Sequence, residues 1–276
     1  MKLKYESYYF HGFTEKDILF DKEKFSEFKY GNTSIAKKMA FDLLKYFNNN
    51  ILNTIENKHL IIYSSPYSQI PTASLFLTRH FVELLVSENP KIKIQLEKIE
   101  RNNTYSQDYG LMSADQRFQL ISKDTYSFKN LPDKEAILIF IDDISITGTH
   151  QRVIENLIFE NSIKNKIIFL YYAKLTDNSN PSIESYLNNF KIKNWEDLAK
   201  LILSPYFNFT TRTIKYILSL NKDEFYLIIN FLLKSKPQLI NNLQILANSN
   251  NYDKIKAYSD NMRELTKVFK QTIVYV

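Results

Sequence analysis

The chain has 276 residues, enough to bury a full hydrophobic core, so one α/β core with a sizeable appendage, or two domains, is the starting expectation. Its 44% hydrophobic and 14% aromatic residues, against 4 glycines and 7 prolines, exclude disordered and fibrous classes, and the absence of cysteine excludes disulfides, a thiol nucleophile and a thiolate metal site. The net charge of +6 suits a polyphosphate ligand, nucleic acid or merely a lysine-biased solvated surface, and does not choose among them.

Residues 1–13 mix Tyr and Phe with Lys, Glu and His and lack the unbroken apolar core of a signal peptide. No apolar run approaches the roughly 20 residues that span a bilayer. A cytoplasmic protein without a membrane partner is therefore expected. Residues 32–55 set Ile35, Met39, Leu43, Phe47, Ile51 and Ile55 on one stripe behind Asn32 and Thr33, which predicts an amphipathic helix capped at its first turn. Residues 59–63 form a short apolar strand, 64–69 a loop, and Pro71 fits the first turn of a helix reaching about Val86. Residues 91–99 alternate, with Ile92, Ile94 and Leu96 on one face, and lead into a long polar loop.

Residues 136–141 are continuously apolar, the pattern of a central parallel strand buried on both faces. A turn over 142–148 opens a helix through Phe159, and 166–173 form another buried strand, so the alternation predicts a doubly wound parallel α/β sheet. From Asn178 the chain turns into an Asn-, Ser- and Pro-containing linker followed by helical stripes: Trp195, Leu198, Leu201 and Ile202, then Phe225, Ile228, Ile229, Leu232 and Leu233. The expected division is an α/β domain over 1–180 and an additional α-helical region over 181–276, either a hood over the site or a stabilising bundle. That region holds 13 Lys/Arg against 8 Asp/Glu, but the charges are scattered and no nucleic-acid-binding pattern is present, so nucleic acid is not an expected partner.

The chemistry concentrates in Ile137-Leu138-Ile139-Phe140-Ile141-Asp142-Asp143-Ile144-Ser145-Ile146-Thr147-Gly148-Thr149. Two adjacent carboxylates leave a buried strand at its carboxyl end, where open α/β sheets bind their ligands. The Thr-Gly-Thr turn that follows offers N–H groups, hydroxyls and the positive end of a helix dipole to the same crevice. Carboxylates accept hydrogen bonds from sugar hydroxyls, so the two halves describe a phosphorylated sugar lying across the strand end. Singly, Asp-Asp also reads as a solvated turn and Thr-Gly-Thr as a plain helix cap; strand, acids and cradle in register carry the assignment.

This segment resembles the phosphoribosyl pyrophosphate motif of type I phosphoribosyltransferases. The resemblance implies that Asp142 and Asp143 hold the ribose 2′ and 3′ hydroxyls near a Mg²⁺ that has no direct protein ligand, while Ile146, Thr147, Gly148, Thr149 and His150 hold the 5′-phosphate. Some purine-base members have an acidic residue at the position of Ile146, which acts as a base there; isoleucine cannot. His150 replaces a small or hydroxyl residue, and both a phosphate contact and plain solvation stay open for it. Upstream, Ser64-Ser65-Pro66-Tyr67-Ser68-Gln69-Ile70-Pro71 is similar to the pyrophosphate loop of orotate phosphoribosyltransferases, with Ser68 in place of a lysine. That likeness implies ligand contacts from Ser65, Pro66, Tyr67 and Ser68.

Residues 99–117 fall where the family has its flexible catalytic loop, and Arg101 is the candidate cation for the leaving diphosphate, with a solvated surface residue as the alternative. Tyr30-Gly31-Asn32-Thr33-Ser34 and Asp108-Tyr109-Gly110 resemble a bacterial branch associated with tellurite-resistance and stress-response gene clusters. The resemblance spans about residues 30–175. It implies a pentosyltransferase that moves the 5-phosphoribosyl group from phosphoribosyl pyrophosphate to a small, base-like acceptor, and it allows a homodimer. The alternative is a regulator that binds phosphoribosyl pyrophosphate without turnover, for which Ile146 and Ser68 speak.

Overall fold

Uninterrupted apolar runs are too greasy for a sheet edge, and here three of them pair side by side. The computed structural model describes residues 5–55, 59–101, 126–177 and 182–273. In chain order its elements are β1 (Tyr5–Phe13), α1 (Lys22–Lys29), α2 (Thr33–Asn50), β2 (His59–Ser64), α3 (Ala73–Glu88), β3 (Lys93–Glu97), β4 (Ile99–Arg101), β5 (Tyr126–Phe128), β6 (Ile137–Ser145), α4 (Thr149–Glu160) and β7 (Ile167–Leu175). The helices α5 (Ile183–Asn188), α6 (Trp195–Ile202), α7 (Thr211–Ser219), α8 (Lys222–Ser235), α9 (Gln238–Ser249) and α10 (Ser259–Ile273) follow.

The main sheet has the order β1-β7-β6-β2-β3, every pair parallel, with β6 in the middle. Period-two alternation divides each inner strand between two cores. Leu60, Ile62, Ile137, Ile139, Ile141, Ile168 and Leu170 face α2 and α3, whereas Ile61, Tyr63, Leu138, Phe140, Phe169 and Tyr171 face the layer of α4 and the small β4-β5 sheet. On the second face Phe140 stacks between Tyr63 and Phe169 at centroid distances of 5.0 and 5.3 Å. Helices on both faces make this the doubly wound α/β fold that the alternation predicts.

Several local expectations need correction. Asn32 occupies the N-cap of α2 but makes no side-chain cap bond; its amide reaches Glu27 instead. The helix stops at Asn50, so Ile55 lies beyond it, after a short 3-10 turn. Pro71 precedes α3, whose cap is Thr72, accepting from the Leu75 N–H. Residues 91–99 split into β3 and β4, and β3 is an edge strand on which Leu96 stays exposed. Residues 5–13, read only as a non-leader segment, form the opposite edge, β1, paired along β7.

The carboxyl-terminal helices enclose a core of their own, built on Leu198, Ile202, Ile214, Ile217, Phe225, Ile228, Ile229 and Leu232 among others. Tyr30 and Ile70, from the α/β part, are buried within it. The expected boundary at 180 lies in residues 178–181, outside the described ones; on its far side Ile183 and Leu187 of α5 still pack in the first core, and Ile192 belongs to the second. Backbone bonds tie the two cores together: Asn208 N donates to Gly31 O at 2.9 Å, Thr33 N to Tyr206 O at 3.0 Å and Thr211 N to Pro71 O at 2.9 Å. Among the described residues no helix is long and apolar enough to cross a membrane.

Candidate functional site

The central strand does not end where its apolar run ends. It continues through Ser145, pairing Asp142 with Tyr171 and Ile144 with Ala173, so the two acids lie within β6 rather than in the turn after it. Asp143 is only 3% exposed, which excludes the solvated-turn reading for it. Burial of an ionised carboxyl is tolerated only with partners, and both acids have them. Lys29 Nζ, at the end of α1, donates to Asp143 Oδ2, and Ser65 Oγ donates to Asp142 Oδ1. His150 Nδ1 lies 3.4 Å from Asp142 Oδ2. Each carboxylate also accepts from the next backbone N–H, Asp143 N to Asp142 Oδ1 at 2.9 Å and Ile144 N to Asp143 Oδ1 at 3.0 Å.

These surroundings separate the two acidities. Burial pushes the Asp143 carboxyl up, the Lys29 charge opposes it, the adjacent Asp142 charge adds to it, and the outcome is about 6. Burial also raises Asp142, but the hydrogen bond and charge of His150 and the Ser65 hydroxyl outweigh it and hold that carboxyl well below the usual range. At neutral pH the pair is ionised, with Asp143 the first to take a proton.

After β6 the chain turns through Gly148, which adopts the left-handed conformation (φ +67°) at the start of α4. Ile146, Thr147, Gly148, Thr149 and His150 line a small cavity of about 50 Å³, and Thr147 and Thr149 join hydroxyls at 2.8 Å beside it. Asp142, Ile144, His150 and Glu184 line both this cavity and a larger one of about 730 Å³. The larger cavity takes Lys29, Tyr30, Ser65, Pro66, Arg101, Asp142 and Asp143 from the α/β part, and residues of the carboxyl-terminal region form much of its remaining wall. Carboxylates, a hydroxyl-rich cradle at a helix start and several cations thus line two cavities that share Asp142, Ile144, His150 and Glu184.

Of the residues singled out from sequence, Tyr67 and Ser68 line neither cavity. Their loop turns toward β4: Tyr67 bridges to Glu100, Lys98 Nζ lies 4.5 Å from the Tyr67 ring centroid, and the same ammonium donates to Ser68 O at 2.6 Å. Lys98, at the junction of β3 and β4, therefore stands beside the position where the resembled loop has its own lysine. Arg101 lies at the end of β4 and lines the large cavity; residues 102–117, including Asp108, Tyr109 and Gly110, fall outside the described residues. The sequence reading missed Lys29, since one lysine in a polar helix carries no local signal that it will meet a buried acid. It also missed the individual residues of the helical wall, whose contribution depends on how the two cores are joined.

A family model described as PRTase ComF-like matches residues 3–265. No curated protein matches the sequence. Similar solved structures include a glutamic-acid mutant from an analysis of an invariant aspartic acid in HPRTs, at 14% identity over 59% of this chain and 82% of that one, with a TM-score of 0.31. A hypoxanthine phosphoribosyltransferase from Staphylococcus aureus is similar at 12% identity over 60% and 80%, TM-score 0.30. The L. donovani hypoxanthine-guanine phosphoribosyltransferase is similar at 11% identity over 57% and 76%, TM-score 0.34. With scores this low, no residue role is carried over from them.

Proposed function

The chain belongs to the PRTase ComF-like family, and from that premise we propose that it binds phosphoribosyl pyrophosphate with Mg²⁺ and transfers the 5-phosphoribosyl group to a small acceptor, releasing diphosphate. The observation that carries this reading is the pair of adjoining cavities, a hydroxyl-lined cradle at the start of α4 and a larger space walled by two adjacent carboxylates, with Asp142 common to both. In the proposed complex the N–H groups and hydroxyls of Thr147, Gly148 and Thr149 receive the 5′-phosphate, with His150 at its edge. Asp142 and Asp143 accept from the ribose hydroxyls, releasing Ser65 and sharing Lys29. Ser65 and Pro66 border the diphosphate, and Arg101 adds its charge there.

The reaction breaks the bond from C1 to the diphosphate oxygen and forms a bond from C1 to the acceptor, whose displaced proton passes to solvent. Positive charge develops on the ribose ring, and carboxylates fixed beneath it stabilise that charge without reorganising. Positioning does the remainder. Ile146 supplies no base, so a proton that the acceptor loses leaves to solvent or to another group, unless the acceptor has none to lose. Two carboxylates lining the cavity fit a nearby Mg²⁺, an ion that keeps most of its water and would be held through that water and by phosphate oxygens rather than by direct protein ligands. When bound, it neutralises charge on the leaving diphosphate.

Calorimetric titration of the full chain with phosphoribosyl pyrophosphate and Mg²⁺ tests the reading. The Asp142→Asn, Asp143→Asn double variant, folded by circular dichroism, is expected to bind at least about tenfold more weakly, roughly 1.4 kcal/mol. Unchanged affinity in a folded variant removes the proposal. Diphosphate release then distinguishes turnover from a binder that retains its ligand intact.

A further inference from the structure

The loop over residues 65–71 faces the large cavity at its start. Ser65 and Pro66 line that cavity, whereas 67–71 line neither of the two. The stretch turned away is held from outside at four successive residues. Lys98 Nζ donates to Ser68 O at 2.6 Å. The other three anchors come from the carboxyl-terminal helices: Gln69 N donates to Asn250 Oδ1 at 3.0 Å, Thr211 Oγ1 to Ile70 O at 3.1 Å and Thr211 N to Pro71 O at 2.9 Å. The Ile70 side chain, fully buried, packs in the helical core.

Asn250 stands in the turn that closes α9, is 4% exposed and lines neither cavity. Its amide is engaged at both ends, since Nδ2 donates to Tyr252 Oη at 3.3 Å while Oδ1 takes the Gln69 N–H. Tyr252 is itself fully buried, its ring against Tyr258 with centroids 5.3 Å apart. The helical core thus fixes an acceptor and presents it to a loop backbone 181 positions away.

Resting on the phosphoribosyl-transfer reading of the site, we propose that Asn250 is a positioning residue, which braces the 65–71 loop in the shape that receives the diphosphate. The loop contains no lysine and no glycine, so Ser65 and its neighbours act on the diphosphate through hydrogen bonds and not through charge. Such bonds weaken steeply when misaligned. A loop already held in its bound shape loses little freedom when the ligand arrives. The ribose carboxylates and the phosphate cradle lie on β6 and α4, elements that this brace does not touch. A bond that merely joined the two cores would affect every ligand alike; a brace on this loop acts on the diphosphate half alone.

The test titrates the full chain, in Mg²⁺, with phosphoribosyl pyrophosphate, inorganic diphosphate and ribose 5-phosphate. Asn250→Ala is expected to weaken the first two about fivefold or more, the worth of one hydrogen bond, and to leave ribose 5-phosphate within about twofold. Asn250→Asp, which keeps an acceptor for Gln69 N, is expected to restore all three to within about twofold of wild type. If Asn250→Ala does not fold, Asn250→Ser, with a side chain too short to reach Gln69 N, reads the same split. The proposal is overturned if the three ligands weaken together, if none changes, or if Asn250→Asp behaves as Asn250→Ala does. A wild-type chain that does not bind phosphoribosyl pyrophosphate defeats the underlying reading; one that binds it no more tightly than ribose 5-phosphate defeats only this inference.

Discussion

Asp142 and Asp143 are adjacent in the chain, yet their surroundings push their acidities apart. Asp143 holds its proton up to about pH 6, because burial outweighs the Lys29 charge. A protonated carboxyl is the poorer acceptor for a sugar hydroxyl, so affinity for phosphoribosyl pyrophosphate is expected to rise between about pH 5 and 7 as Asp143 ionises, the window set by that acidity. Stability runs the other way for this residue. Its pKa in the folded chain lies above the unfolded one, so its stabilising contribution is full below the ordinary carboxyl range, near pH 4, and is lost as pH rises through about 6. Asp142, lowered in the folded chain, stabilises above the ordinary range and loses that contribution on acidification. Asp143→Asn should therefore flatten the affinity profile between pH 5 and 7, and its thermal midpoint relative to wild type should climb across that interval. Parallel profiles for variant and wild type in both measurements would show that Asp143 does not titrate there. At Arg101, at the end of β4, the expectation concerns rate: Arg101→Ala should lower turnover at least tenfold more than it lowers ground-state affinity, if its charge acts chiefly on the departing diphosphate. Steady-state kinetics alongside calorimetry read the two separately.

At the scale of elements, two glycines carry turns that another residue cannot follow, for different reasons. Gly31 has φ +106°, and a Cβ there would lie 1.9 Å from Asn208 O, the backbone of the segment that crosses from the helical core. Gly148 has φ +67° with nothing within 4 Å of an added Cβ. Gly148→Ala is thus expected to cost only the backbone strain, about 1–2 kcal/mol. Gly31→Ala must also move Asn208 and is expected to cost about 3 kcal/mol or more. Chemical denaturation orders them, and equal losses would contradict the close approach at Gly31. Sequence reading reached the elements whose side chains repeat on one face. The α2 stripe of Ile35, Met39, Leu43 and Phe47 is fully buried, as the helical period requires. β1 escaped because aromatic residues fall on both of its faces, Tyr5 and Tyr9 on one and Tyr8 and Phe10 on the other, which erases alternation.

Over the whole molecule, the helical core is welded to the α/β core through Tyr30 and Ile70 and through the backbone bonds at Gly31, Thr33 and Pro71. Removing everything after Asn180 would expose both side chains and open the wall of the large cavity. Each buried residue of that size contributes about 1.5–3 kcal/mol by leaving water, a large share of the roughly 5–15 kcal/mol that typically holds a domain folded. A chain ending at Asn180 is expected to lose cooperative unfolding and to bind a hydrophobic dye. A truncated protein that unfolds cooperatively, with unchanged phosphoribosyl pyrophosphate affinity, would show instead that the helical region is an independent appendage.

What the amino-acid sequence determined alone was whatever depends on periodicity and local chemistry. The unbroken run before Asp142 reads as an inner parallel strand, the Thr-Gly-Thr turn as the opening of a helix, and the stripes after residue 194 as helices that must bury one face, and all three are so. The tertiary structure decided which distant groups meet. Lys29 reaches Asp143 across 114 positions, Ser65 reaches Asp142 across 77, and Lys98 arrives beside Ser68 from the junction of β3 and β4. It also decided that Arg212 and Lys215 line the same cavity as the carboxylates. Contacts of that range follow from the order of strands and the docking of two cores, and neither leaves a trace in the spacing of residues along the chain.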